Sequence, residues 1–158
     1  MRFGQLGVFR DTTHHAPNHV LVNEYSPGEG IMPHEDGGAY NPVVATVSFG
    51  ATVVLDLYSK DLEERKKRDG KPLYRILQEP RSLLVTTGEA YTALLHGIEG
   101  LTEDKDLSSE SIVNWSLLGD PKQYASGTSV RGVRTSFTYR DVLKVSHGAK
   151  NIFGLGRK

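Results

Sequence analysis

The chain has 158 residues, 19 basic and 19 acidic side chains, 17 glycines and no cysteine, the size of one domain with a sizeable core. Without cysteine, disulfides, zinc-thiolate sites and iron-sulfur clusters are excluded, so any metal must be held by His, Asp or Glu. No apolar run approaches the roughly 20 residues of a membrane span, and the start lacks the apolar core of a signal peptide, so a soluble monomer with no membrane contact is expected, in the cytoplasm and nucleus.

In chain order, β-rich runs at His19–Tyr25, 43–49, 52–58, 82–86, 91–98, 111–115 and 133–140 read as strands, rich in Val, Thr, Tyr and Phe. Between the third and fourth lies the only long helix-like stretch, 60–68, whose single apolar residue, Leu62, predicts an exposed excursion. Segments 102–110 and 119–131 are polar and read as loops of the size that often serve a site. Many short strands turned by glycines favour a two-sheet sandwich or jelly roll, mainly β with peripheral loops and little helix.

Charge is segregated along this order. Residues 60–81 carry eight basic and five acidic side chains and 121–158 carry eight and one, while 1–59 carry two and six and 82–120 one and seven. A basic face that meets phosphates is compatible with this, as is a solvated surface of scattered cations. The cluster at 65–68, interleaved with acids, fits the second description better.

His34 and Asp36 stand two apart after Pro33, so on an extended strand both project to one side and can touch one ion. Two imidazoles and one carboxylate leave metal positions open for substrate and dioxygen, and His96 downstream could supply the second imidazole. With six histidines and nine aspartates, chance supplies roughly 0.3 His-x-Asp pairs in such a chain, and a surface turn before Gly37 and Gly38 fits the pair equally well. Asn23 and Tyr25 share one face of the preceding strand, with Val20 and Val22 on the other. Arg134 and Arg140, six apart, likewise face one way with Ser136 and Thr138 between them. On an inner face two such cations need anions, and bidentate guanidinium groups suit carboxylates; an edge strand with two solvated arginines is the alternative.

Taken in order, Asn23/Tyr25, His34/Asp36, His96 followed by Gly97 and Ile98, and Arg134/Arg140 resemble the signature of the AlkB-like Fe(II)- and 2-oxoglutarate-dependent dioxygenases. The phrases around residues 18–25, 27–37, 80–85 and 90–98 look most like the sixth AlkB homologue subfamily. The resemblance covers residues 19–140. It implies a double-stranded β-helix forming a single dioxygenase domain over 1–158, with a core of about 19–140 and a shortened N-terminal lid region. It further implies Fe(II) held by His34, Asp36 and His96, with Arg134 and Tyr25 holding the far carboxylate of 2-oxoglutarate. Asn23 and Arg140 would lie near the carboxylate that chelates iron. Dioxygen completes the co-substrate set, and the implied reaction is oxidative demethylation, with methylated RNA or DNA as the expected partner. Ser136 stands where the family often has Asn between the arginines, and Gly38 where some members carry an acidic residue that reads a methylated base. The alternatives are a protein or small-molecule hydroxylase or demethylase of the same mechanism, and a truncated module that binds metal and 2-oxoglutarate without turnover.

Overall fold

A computed structural model describes residues 3–144. Its elements are α1 (Phe3–Leu6), β1 (His19–Tyr25), β2 (Ile31–His34), β3 (Tyr40–Gly50), β4 (Val53–Ser59), α2 (Leu62–Lys67), β5 (Tyr74–Gln78), β6 (Leu83–Thr87), α3 (Gly88–Thr92), β7 (Leu94–Ile98), β8 (Glu103–Asp104), β9 (Ser129–Val130) and β10 (Arg134–Val142). Two four-stranded sheets form, one in the order β1-β10-β3-β6 and the other β2-β7-β4-β5, with every pairing antiparallel. The chain crosses from sheet to sheet at almost every connection, which is the winding of a double-stranded β-helix, the jelly roll expected from sequence.

Alternation of residue types explains which face each strand buries. On β10, Arg134, Ser136, Thr138 and Arg140 are buried while Thr135, Phe137 and Tyr139 are half-buried on the other side, the period of two that a strand imposes. β4 is buried on both faces, so it reads as a continuous apolar run. Val53, Leu55 and Leu57 join Ile98 between the sheets, and Val54 packs outward with Leu77, Leu107, Ile112 and Tyr124, flanked by Trp115 and Leu118.

The excursion at 60–68 forms α2, with Asp61 capping it by accepting from the Glu63 and Glu64 N–H groups, and with no buried residue. Four sequence expectations are corrected. Residues 111–115 form no strand: the Val113 N–H donates to the Arg75 carbonyl and the Asn114 side-chain amide bonds both backbone groups of Leu77, each at 2.9 Å, so a side chain occupies the edge of β5 before a 3-10 turn at Trp115–Leu117. Residues 91–92 end α3, and β7 starts only at Leu94. β5, framed by polar residues, and the small β8–β9 ladder stand where the sequence predicts no strand. β2 stops at His34, so Asp36 lies just past the strand.

The amino-terminal segment is strapped to the end of β10. Phe3 meets Tyr139 edge to face at 4.8 Å between centroids. Asp141, fully buried, accepts from the His14 N–H at 3.0 Å, the His14 ring at 2.6 Å and the Asn41 amide at 2.9 Å.

Candidate functional site

His34 and His96 are 62 positions apart in sequence and directly opposite in the β2–β7 register. Their rings lie 4.3 Å apart between centroids. Gly97 makes this approach possible: a Cβ there would sit 3.0 Å from the Pro33 nitrogen and 3.1 Å from the Ile31 carbonyl oxygen. His34 places Nδ1 2.8 Å from the Met32 carbonyl, so Nδ1 carries the proton and Nε2 is left as a lone-pair donor. Burial pushes the His96 pKa down, Asp36 opposes this and His34 and Arg140 reinforce it; the ring is neutral at neutral pH and can ligate.

Asp36 completes the group. One carboxylate oxygen lies 4.0 Å from His96 Nε2, while the other is ion-paired with Arg140 and buried without a directed hydrogen bond. The loop that carries it is pinned from both sides: Lys60 pairs with Glu35 and donates to the Thr92 carbonyl at 2.7 Å, and the Tyr91 hydroxyl donates to the Gly37 carbonyl at 2.8 Å. Two imidazoles and a carboxylate form a donor set that fits a divalent iron. Asp36 is turned onto Arg140, and among the described residues no three ligating side chains stand at coordination distance of one point.

These three open into a cavity of about 150 Å³ between the sheets, and its wall includes all eight residues singled out from sequence: Asn23, Tyr25, His34, Asp36, His96, Arg134, Ser136 and Arg140. The edge-strand reading of the arginines therefore fails, since both guanidinium groups point inward. Arg134 is 4% exposed and gives Nη2 to Ser48 Oγ at 2.9 Å and Gln78 Oε1 at 2.5 Å. Among the described residues it has no carboxylate partner, and burial brings its pKa down to about 10, with Tyr25 acting the other way and Arg131 adding to the fall. Tyr25, its register partner on β1, presents its ring 5.8 Å from the guanidinium carbon; burial raises the phenol pKa while Arg134 and Asn23 lower it, for a net rise. Arg140 stacks over Tyr40 at 4.9 Å. The Nε atoms of Arg134 and Arg140 are both buried without a partner among the described residues. Two unpaired buried donors in one small cavity fit an anionic ligand with a carboxylate at each end.

A larger groove of about 850 Å³ lies on the opposite face of the second sheet. Its wall carries the bidentate Arg131–Asp104 pair, and it holds none of His34, Asp36 and His96. Sequence reasoning missed Ser48, Gln78, Thr46 and Tyr40. Ser48 and Thr46 alternate along β3 as Ser136 and Thr138 do along β10, a period-two signal that could have found them; Gln78 carried none.

A family model described as the 2OG-Fe(II) oxygenase superfamily matches residues 5–140. The probable RNA/DNA demethylase ALKBH6 of Danio rerio is 38% identical over 161 residues, 99% of this chain and 64% of that protein. The tRNA (carboxymethyluridine(34)-5-O)-methyltransferase ALKBH8 of Mus musculus is 32% identical over 132 residues, 83% of this chain and 18% of that protein. The chain thus spans just under two thirds of the first relative and about a fifth of the second. The solved structure of OsALKBH1 is 20% identical with a TM-score of 0.49, over 80% of this chain and 48% of that one.

Proposed function

We infer that this chain, which belongs to the 2OG-Fe(II) oxygenase superfamily, is an Fe(II)- and 2-oxoglutarate-dependent dioxygenase domain that oxidatively demethylates alkylated nucleic acid. The observation that carries the reading is the meeting, in one small cavity, of His34, Asp36 and His96 with two buried arginines whose Nε groups lack partners. The nucleic-acid part is supported by the likeness to a probable RNA/DNA demethylase over almost the whole chain. A monomer in the cytoplasm and nucleus belongs to the same proposal, checked by light scattering and by imaging of the tagged protein.

The His34 and His96 imidazoles and the Asp36 carboxylate would hold the iron, with the Met32 carbonyl fixing the His34 tautomer. Arg134 and Tyr25 would bind the far carboxylate of 2-oxoglutarate, and Asn23 and Arg140 the near one, with Ser136 between them. Bound together there, Fe(II), 2-oxoglutarate and dioxygen would supply the oxidation of a substrate carbon coupled to loss of carbon dioxide and formation of succinate. Apolar walls from Leu21, Val44, Leu55, Leu84 and Ile98 limit water in the cavity and strengthen every charge interaction in it.

Incubation with Fe(II), 2-oxoglutarate and a panel of methylated RNA and DNA is expected to release formaldehyde and succinate, with His34→Ala inactive. Iron binding with no turnover on any methylated base would sink the nucleic-acid reading. Gly38 offers no acidic side chain to read a methylated base, which favours the second reading of a protein or small-molecule substrate; peptide pools that stimulate succinate formation where nucleic acid does not would establish it. Wild-type succinate no higher than that of His34→Ala would instead indicate a non-catalytic binding module.

A further inference from the structure

We propose that Gln78, seconded by Ser48, is a positioning residue that sets the affinity for the dicarboxylate by aiming Arg134 through a neutral acceptor. The inference rests on the reading of Arg134 as the anchor of the far carboxylate. Gln78 ends β5 in one sheet, Arg134 begins β10 in the other, and the Gln78 amide oxygen is the closest acceptor to the guanidinium, at 2.5 Å. Ser48 closes a triangle, donating to the same oxygen at 3.2 Å and accepting from Arg134 at 2.9 Å. Both side chains are buried, at 3% and 1% exposure, so these contacts face no competition from bulk water.

The choice of a neutral acceptor matters. A carboxylate at position 78 would hold Arg134 as firmly but neutralise it, leaving little attraction for a ligand anion. An amide oxygen and a hydroxyl fix the Nη2 end and leave the charge, and the unpaired Nε, for the ligand. The backbone here is held independently of these side chains: the Ser48 N–H donates to the Ser82 carbonyl at 3.1 Å, and the Arg81 N–H donates to the Ser48 carbonyl at 2.6 Å. Changing the side chains therefore perturbs aim more than fold.

Calorimetric titration of the Mn(II)-loaded full chain with 2-oxoglutarate, and with a 2-oxo acid that lacks the far carboxylate, tests this. Gln78→Leu is expected to weaken 2-oxoglutarate binding by about 10-fold or more, the scale of one hydrogen bond to a charged group, and to leave the shorter acid unaffected. In turnover, KM for 2-oxoglutarate rises by the same factor while kcat holds. Gln78→Glu, which keeps the contact, is expected to weaken 2-oxoglutarate at least as much, and Ser48→Ala to weaken it less and supply the test where a Gln78 variant does not fold. Equal loss for both acids, or wild-type affinity in Gln78→Glu, overturns the proposal. Unchanged affinity in Gln78→Leu overturns it while leaving the dioxygenase reading intact, whereas a wild-type protein that binds no 2-oxoglutarate overturns both.

Discussion

Arg134→Met should stabilise the protein and disable it together. Among the described residues Arg134 is a buried cation with no carboxylate partner, and the fall of its pKa from an ordinary 12.5 to about 10 reflects what that burial costs. At about 1.4 kcal/mol per pH unit, the penalty is on the order of 3 kcal/mol, present at every pH below about 10. Methionine has similar length and no charge, and once Arg134 is gone Ser48 and Gln78 still bond each other, so no buried acceptor is orphaned. For a domain of this size the melting temperature should rise by several degrees. Binding should move the other way: loss of a buried charge-assisted contact is worth roughly 3 kcal/mol or more, a factor of at least 100 in 2-oxoglutarate affinity. Differential scanning calorimetry with and without 2-oxoglutarate reads both effects. A lower melting temperature with undiminished ligand-induced stabilisation would refute the reasoning, because it would make Arg134 a structural residue.

Chelation should abolish succinate formation by the wild type, with Fe(II) restoring it; His96→Ala should stay at background under the same Fe(II). Arg131→Met should cost about 3–5 kcal/mol in urea unfolding, because Asp104 is fully buried and loses both of its bonds; adding Asp104→Leu should recover most of the loss. Asp141→Asn should cost roughly 2 kcal/mol at neutral pH. Burial alone would raise the Asp141 pKa, but bonds from His14 and Thr12 outweigh it and hold the carboxyl below its ordinary value. A depressed carboxyl stabilises the fold above its unfolded pKa near 4, and that contribution is lost as pH falls through the lower folded value. The urea midpoints of the wild type and of the Asp141→Asn variant should therefore differ at pH 7 and converge only well below pH 4.

The strands that build the cavity are legible in sequence because their residues alternate: β1, β3 and β10 each carry polar side chains on one face and apolar ones on the other, and that period alone puts Arg134 and Arg140 on the same side. Segment 111–115 misleads because Ile112 and Trp115 look like strand core, while Asn114 satisfies the β5 edge with its side chain, a substitution that no period records. β5 escapes notice because two of its five residues are polar: Gln78 is buried to bond Arg134 of the other sheet, and half-buried Arg75 pairs with Asp56 on the neighbouring strand β4. His34 and Asp36 are neighbours in one site, as their spacing suggests, but for a partly different reason, since the strand that would align them ends at His34 and the loop beyond is set by Lys60 and Tyr91.

The winding of the chain explains why residues so far apart in sequence act as one site. β10 lies between β1 and β3, so Arg134 faces Tyr25 on one side and Gly50 on the other, while Ser136 faces Asn23 and Ser48. In the opposite sheet the same antiparallel logic sets His34 against His96. Six residues of strand separate Arg134 from Arg140, about 20 Å of backbone, so the two guanidinium groups converge on the cavity from its ends. One end meets Asp36 beside the imidazoles and the other is held by Gln78 and Ser48. A ligand bridging them must carry an anion at each end and reach from the metal ligands to the β5 edge, so the spacing of two arginines on one strand selects for length as well as charge. Shortening the ligand by removing one carboxylate should therefore forfeit the Arg134 end without disturbing the Arg140 end.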